Sequence, residues 1–154
     1  MAGSTAYLMR LVHLWLRIGM RYKKLKEESD SRAKLRCLAD PRSVLVVEDN
    51  TDQRELLSEL LALNGYRVSS AENGKEALEQ LDTTPTPPAL ILLDLSMPIM
   101  DGRAFLQRFR RRNSKIPVLV MTGEEFPAVA GAAAVLSKPL EASALLSFIK
   151  QCLS

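Results

Sequence analysis

The sequence predicts an α/β fold: a doubly wound parallel sheet with helices on both faces. Three observations predict it. Short apolar runs alternate with helical patterns from residue 44 onward. The first and third runs are apolar at successive positions, as strands buried on both faces are. Several runs stop at an acid, a hydroxyl or a lysine, and open parallel sheets gather ligands at the carboxyl ends of their strands.

The elements follow in order. Val44–Val47 reads as the first strand. Leu56, Leu57, Leu60 and Leu61 recur at helical spacing, and Asn64-Gly65 stops that helix. Tyr66–Ala71 is the second strand. Gly74–Leu81 is a short helix with Ala77, Leu78 and Leu81 inward. The run Thr83-Thr84-Pro85-Thr86-Pro87-Pro88 fits neither element and is a loop. Ala89–Leu93 is the third strand, ending at Asp94. Arg103–Arg112 is a helix burying Phe105, Leu106 and Phe109, with Arg110-Arg111-Arg112 at its carboxyl end, where cations favour the dipole. Pro117–Met121 and the weaker Ala133–Leu136 are strands four and five. Glu141–Leu153 closes the chain, with Leu145, Leu146, Ile149 and Leu153 inward. Repeated strand–helix units place helices on both faces of one sheet.

A length of 154 residues fits one domain with a short extension. The boundary falls at Asp40-Pro41, giving a basic helical extension and linker over 1–41 and a main domain over 42–154. Charge marks the same boundary. Residues 1–40 hold nine Lys/Arg against four Asp/Glu, and residues 41–154 hold twelve against fourteen. The net charge of +3 therefore belongs to the extension, and nucleic acid is not an expected partner of the main domain. With 47% hydrophobic and 25% charged residues, global disorder and collagen are excluded. The single His13 excludes a two-histidine zinc site. Cys37 and Cys152 form no C-x-x-C, which excludes a redox motif and suits a cytoplasmic protein. Cys152 reads as a buried apolar residue.

In the extension, Leu8, Leu11, Trp15, Ile18, Tyr22 and Leu25 follow heptad-like spacing on a helix over 5–26. Arg10, His13, Arg17, Arg21 and Lys24 line its other side. A packing or homodimer helix is the first expectation. A segment added by an upstream start, with Met20 as the other start, is the second, and contact with an anionic membrane is the third. Arg10 and Arg17 leave it too short and polar to span a bilayer, and it lacks the marks of a signal peptide.

The chemistry lies at the strand ends. Glu48 and Asp49 follow strand one, Asp94 strand three, Thr122 strand four and Lys138 strand five. A strand order of 2-1-3-4-5 brings all five to one pocket. Crowded carboxylates repel, and a hard divalent cation with oxygen ligands removes that cost. A nearby ammonium and hydroxyl suit an incoming phosphoryl group. No glycine-rich phosphate loop is present, so the donor is not expected to bind as a nucleotide.

Val-Leu-Val-Val-Glu-Asp-Asn (44–50), Asp-Leu-Ser-Met-Pro-Ile-Met-Asp-Gly (94–102), Met-Thr-Gly (121–123) and Ser-Lys-Pro (137–139) resemble the receiver domain of two-component response regulators, of the chemotaxis-like single-domain kind. The resemblance covers about residues 42–153 and implies a flavodoxin-like fold. It implies that Asp94 is the phosphoacceptor and that Glu48, Asp49, Asp94 and the Ser96 backbone carbonyl hold Mg²⁺. Thr122 becomes the switch hydroxyl and Lys138 the lysine that meets the phosphoryl group, with Lys138-Pro139 cis. Ser96 and Glu124 take the places that tune dephosphorylation, and Gly102 supplies the turn after the acceptor loop. The implied partners are a histidine kinase or histidine phosphotransfer protein and a downstream protein target. The implied function is a stand-alone receiver, with no catalysis beyond its own phosphorylation and dephosphorylation.

Two departures touch the output face. Only fifteen residues separate Thr122 from Lys138, and they include Pro127 and Gly131. Helix four is therefore expected to be shortened or missing. Val135 stands where the resemblance leads one to expect Tyr or Phe. These departures motivate a second reading, a degenerate receiver that works as a phosphorylation-independent scaffold. A phosphate-ester hydrolase is the weakest reading, because no second acid is placed to serve a leaving group.

Overall fold

A computed structural model of the chain describes residues 40–112, 115–124 and 128–154. The helix expected over 5–26, its dimer or membrane roles and Cys37 lie outside the described residues.

Five parallel strands form one sheet in the order β2-β1-β3-β4-β5. They are β1 (Ser43–Val47), β2 (Arg67–Ala71), β3 (Leu90–Asp94), β4 (Val118–Thr122) and β5 (Ala134–Ser137). Four helices accompany them among the described residues: α1 (Thr51–Leu63), α2 (Gly74–Thr83), α3 (Gly102–Arg111) and α4 (Ala142–Leu153). The expected doubly wound, flavodoxin-like order is the one observed. Most element ends shift by a residue, with Tyr66 and Ala133 just outside their strands and Gly102 inside its helix. α2 runs two residues beyond its expected end, taking in Thr83, whose hydroxyl bonds back to the helix, so the loop starts at Thr84.

Side chains alternate across the strands, so the sheet builds two separate cores. Leu45, Val47, Ile91, Leu93, Val118 and Val120 face Ala77, Leu78, Phe105, Leu106 and Phe109 of α2 and α3. Val44, Val46, Leu90, Leu92, Leu119 and Met121 face Leu57, Leu61, Leu145 and Ile149 of α1 and α4. Phe105 and Phe109 stack with centroids 5.4 Å apart. β3 is buried at all five positions because it is central and covered on both sides. Leu81, Leu146, Leu153 and Cys152 pack at the edges of these cores, partly buried. Leu56 is an exception to the helical-face reading: it is 67% exposed, like Leu63 at 80%, while Leu57 and Leu61 carry the buried face.

Local chemistry sets the helix starts. Asn50, Asn73 and Asp101 are N-caps whose side chains accept from Gln53, from Lys75 and Glu76, and from Ala104 respectively. At the other end of α1, Gly65 takes φ +83°, a conformation with no steric cost only for glycine. Arg110 and Arg111 do lie in the last turn of α3, with Arg112 at its C-cap.

Between Thr122 and Ala134, none of the described residues is helical. This agrees with the expected shortening of that segment.

Candidate functional site

Glu48 and Asp49 leave the sheet directly after β1, and Asn50 immediately caps α1. This tight turn buries Glu48 and leaves Asp49 exposed. Arg54, one turn into α1, reaches back and donates to the carbonyls of Glu48 (2.7 Å) and Asp49 (3.1 Å). Those carbonyls would otherwise lie beside the acids without a partner, and the guanidinium fixes the turn's backbone.

Asp94 is the last residue of β3 and is 3% exposed. Its Oδ2 accepts the Ser96 backbone N–H at 2.8 Å. Its Oδ1 lies 2.8 Å from the Lys138 Nζ. The loop beyond it turns sharply: Ile99 has φ +66°, costly for a β-branched residue and seen where surrounding structure imposes it. The loop closes where the Gly102 N–H donates to the Leu95 carbonyl at 3.0 Å. A Cβ on Gly102 would sit 2.3 Å from the Asp94 carbonyl oxygen. This glycine is thus required by close packing against the Asp94 backbone.

Lys138 follows β5, and its backbone N–H donates to the Thr122 carbonyl at 2.7 Å. The Lys138-Pro139 bond is cis. The Lys138 Nζ meets Glu48 Oε2 at 2.8 Å and Gln53 Oε1 at 3.1 Å, besides Asp94. An ammonium has three protons, so these three acceptors satisfy it. Thr122 is buried at the end of β4. Its Oγ1 accepts the Glu124 N–H at 3.0 Å, which leaves the hydroxyl proton free to donate.

Burial pushes the Glu48 carboxyl above the ordinary value of 4.5, against the pull of Lys138, with the Asp94 charge adding to the rise. Burial also opposes the Lys138 ammonium, but hydrogen bonds and charge from Asp94 and Glu48 outweigh it and raise its pKa above 10.5. Each side chain is thus held in part by its neighbour's charge.

The sheet therefore brings Glu48, Asp49, Asp94 and Lys138 together, and sets Thr122 on the next strand end. One oxygen from each of Glu48, Asp49 and Asp94 lies within 4.8 Å of the others. An all-oxygen, all-carboxylate set is the donor chemistry a hard divalent cation takes. Ser96 contributes its N–H to Asp94. Sequence reasoning missed Gln53 and Arg54. Their signal was position: both fall in the first turn of a helix starting two residues after the acids.

This is a parallel α/β domain with an acidic pocket and a lysine at the carboxyl ends of its strands. The match to the response regulator receiver domain model extends over residues 44–150, and the chain belongs to that family. Among curated proteins it is 38% identical over 116 residues to a transcriptional regulatory protein, a CpxR homolog of Haemophilus influenzae, covering 71% of this chain and 49% of that one. It is 33% identical over 119 residues to the response regulator MprA of Mycolicibacterium vanbaalenii, covering 73% and 51%. The chain thus spans about half the length of these relatives, and 14% of a 34%-identical two-component system protein of Emericella nidulans, where the match covers 59% of this chain. Among solved structures, the chemotaxis protein CheY4 of Vibrio cholerae matches with a TM-score of 0.65 at 31% identity, covering 71% of this chain and 97% of that one. The response regulator TrrA of Thermotoga maritima, solved in complex with Mg²⁺-BeF, matches with 0.66 at 27%, covering 72% and 98%. No described helix is long and apolar enough to cross a membrane.

Proposed function

We propose that this receiver domain accepts a phosphoryl group on Asp94 from the phosphohistidine of a histidine kinase or histidine phosphotransfer protein. The observation that carries the reading is the shared grip on Lys138 Nζ by Asp94 Oδ1 and Glu48 Oε2, both at 2.8 Å. It sets a cation beside the one carboxylate of the pocket that ends the central strand. An Asp94 oxygen attacks phosphorus, the P–N bond breaks, and its electron pair returns to the imidazole of the donor. The Ser96 N–H holds the other oxygen and orients the nucleophile. Lys138 offsets charge on the transferred oxygens, and the Thr122 hydroxyl donates to one of them. Glu48, Asp49, Asp94 and the Ser96 carbonyl are the residues that would hold Mg²⁺, which when bound neutralises charge on the phosphoryl oxygens. The solved complex of TrrA with Mg²⁺-BeF supports this assignment. We place the protein in the cytoplasm, with its output a contact with a downstream protein.

The test is labelling by acetyl phosphate with Mg²⁺, where the P–O bond breaks and acetate leaves. Phosphate should appear on the protein as a base-labile, hydroxylamine-sensitive adduct detected by intact mass. Asp94→Asn should abolish it. Labelling that persists in this variant would overturn the assignment.

A scaffold reading is favoured by one observation: Val135 offers no aromatic ring on the β5 surface, where it is 37% exposed. A protein whose Asp94→Asn variant keeps full activity in cells would fit that reading instead.

A further inference from the structure

α3 carries Arg103 and Arg110 seven residues apart, two helical turns along one face. Both reach across to the β4–β5 connection. Arg103 pairs through Nη2 with Glu124 Oε2 at 2.6 Å and donates through Nη1 to the Ala128 carbonyl at 2.9 Å. Arg110 donates from Nε and Nη2 to the Gly131 carbonyl, at 2.9 and 2.7 Å, and from Nη1 to the Ile116 carbonyl at 2.9 Å. The described residues of this connection form no helix, so carbonyls there draw on donors from outside it. The two guanidiniums supply them.

The two arginines differ in what lies behind their grip. Glu124, held by Arg103, is the residue whose backbone N–H donates to Thr122 Oγ1. That bond occupies the hydroxyl as an acceptor and directs its proton elsewhere. The helix bearing Arg103 starts at Gly102, packed on the Asp94 carbonyl and bonded to Leu95. A closed path therefore runs from Asp94 through Gly102, Arg103 and Glu124 to Thr122. The bonds of Arg110 described above end on Gly131 and Ile116.

We propose that Arg103 is a positioning residue for phosphoryl transfer. By gripping Glu124 and Ala128 it fixes the N–H that orients the Thr122 hydroxyl toward the Asp94 pocket. This inference rests on the phosphoacceptor reading of Asp94 and adds a residue that the motifs do not contain.

The experiment compares Arg103→Ala, Arg110→Ala and the charge-exchanged Arg103→Glu/Glu124→Arg protein. Each is followed by the rate of acetyl phosphate labelling and by Tm. Arg103→Ala should slow labelling on the order of three- to tenfold, as expected for loss of one charge-assisted link. Arg110→Ala should lower Tm by at least as much yet label within about twofold of the wild-type rate. The exchanged pair restores the ion pair but not the bond to the Ala128 carbonyl, so it should recover part of the lost rate. A merely structural clamp predicts the reverse pattern, with rate following Tm in all variants. Wild-type-like labelling of Arg103→Ala, or an equal loss in Arg110→Ala, would overturn the proposal. Failure of the wild-type protein itself to take label is a distinct result: it removes the Asp94 reading and this inference with it.

Discussion

β3 and β5 both deliver a charged residue to the pocket, yet they are built in opposite ways. β3 is buried at all five positions between α1 and α4 on one face and α2 and α3 on the other. Asp94 emerges from it at 3% exposure. β5 is an edge strand with one buried residue, Leu136, and Val135 37% exposed. The connection leading into it is tied to α3 by arginine side chains. Asp94 is thus anchored on a central strand buried at every position, while Lys138, which meets it, follows an edge strand with a single buried residue. A side chain held on a rigid strand can keep a nucleophile in place. An edge strand that gives one buried side chain, Leu136, to a core can shift at lower cost than a central strand buried at every position.

This contrast can be broken by substitution. The largest stability effect should come from Leu92→Ala on β3, on the order of 2–5 kcal/mol, because that side chain is fully buried and leaves a cavity. Urea unfolding measures it. Next comes Gly102→Ala, at about 1–3 kcal/mol, because the added Cβ must push on the Asp94 carbonyl. It should also slow labelling of Asp94, and a variant unaffected in both respects would contradict the packing described.

The pH response sharpens the contrast further. The raised pKa of Glu48 means that its protonated form favours the fold. That contribution is complete below 4.5 and is lost as pH rises through the folded value. Metal-free wild-type protein should therefore lose Tm relative to Glu48→Gln as pH rises from below 4.5 through the raised folded value. Lys138 acts at the other end: its contribution is intact below 10.5 and disappears above its raised folded value. The smallest effect should be Val135→Ala, under about 1 kcal/mol in the same urea assay. A loss as large as that of Leu92→Ala would erase the distinction between the two strands.

Much of this was legible in the chain. Apolar runs at 44–47 and 89–93 marked the buried strands, because burial on both faces leaves no room for alternation. Glu48, Asp49, Asp94, Thr122 and Lys138 stood out by falling at strand ends. The shortened segment before β5 was legible from its length set against the family resemblance, with Pro127 and Gly131 inside it. Leu56 shows where this reasoning stops, since helical spacing finds an apolar face but not which edge the sheet covers. Gln53 and Arg54 had only their place in the first turn after the acids to mark them, and Arg103 had no mark at all. Long polar side chains choose partners by distance in space, which sequence neighbours record poorly.

The order of residues alone therefore determined the fold class, the strand ends and the set of acids, because hydrophobic periodicity and chain punctuation act locally. Only the folded sheet decided that Lys138 reaches Asp94 and Glu48 at once, and that Arg103 grips Glu124. Those contacts span 44, 90 and 21 positions of chain. The first two exist because a parallel sheet sets all its carboxyl ends along one edge, where a long lysine crosses between strands that are not neighbours, and the third because α3 lies beside the β4–β5 connection.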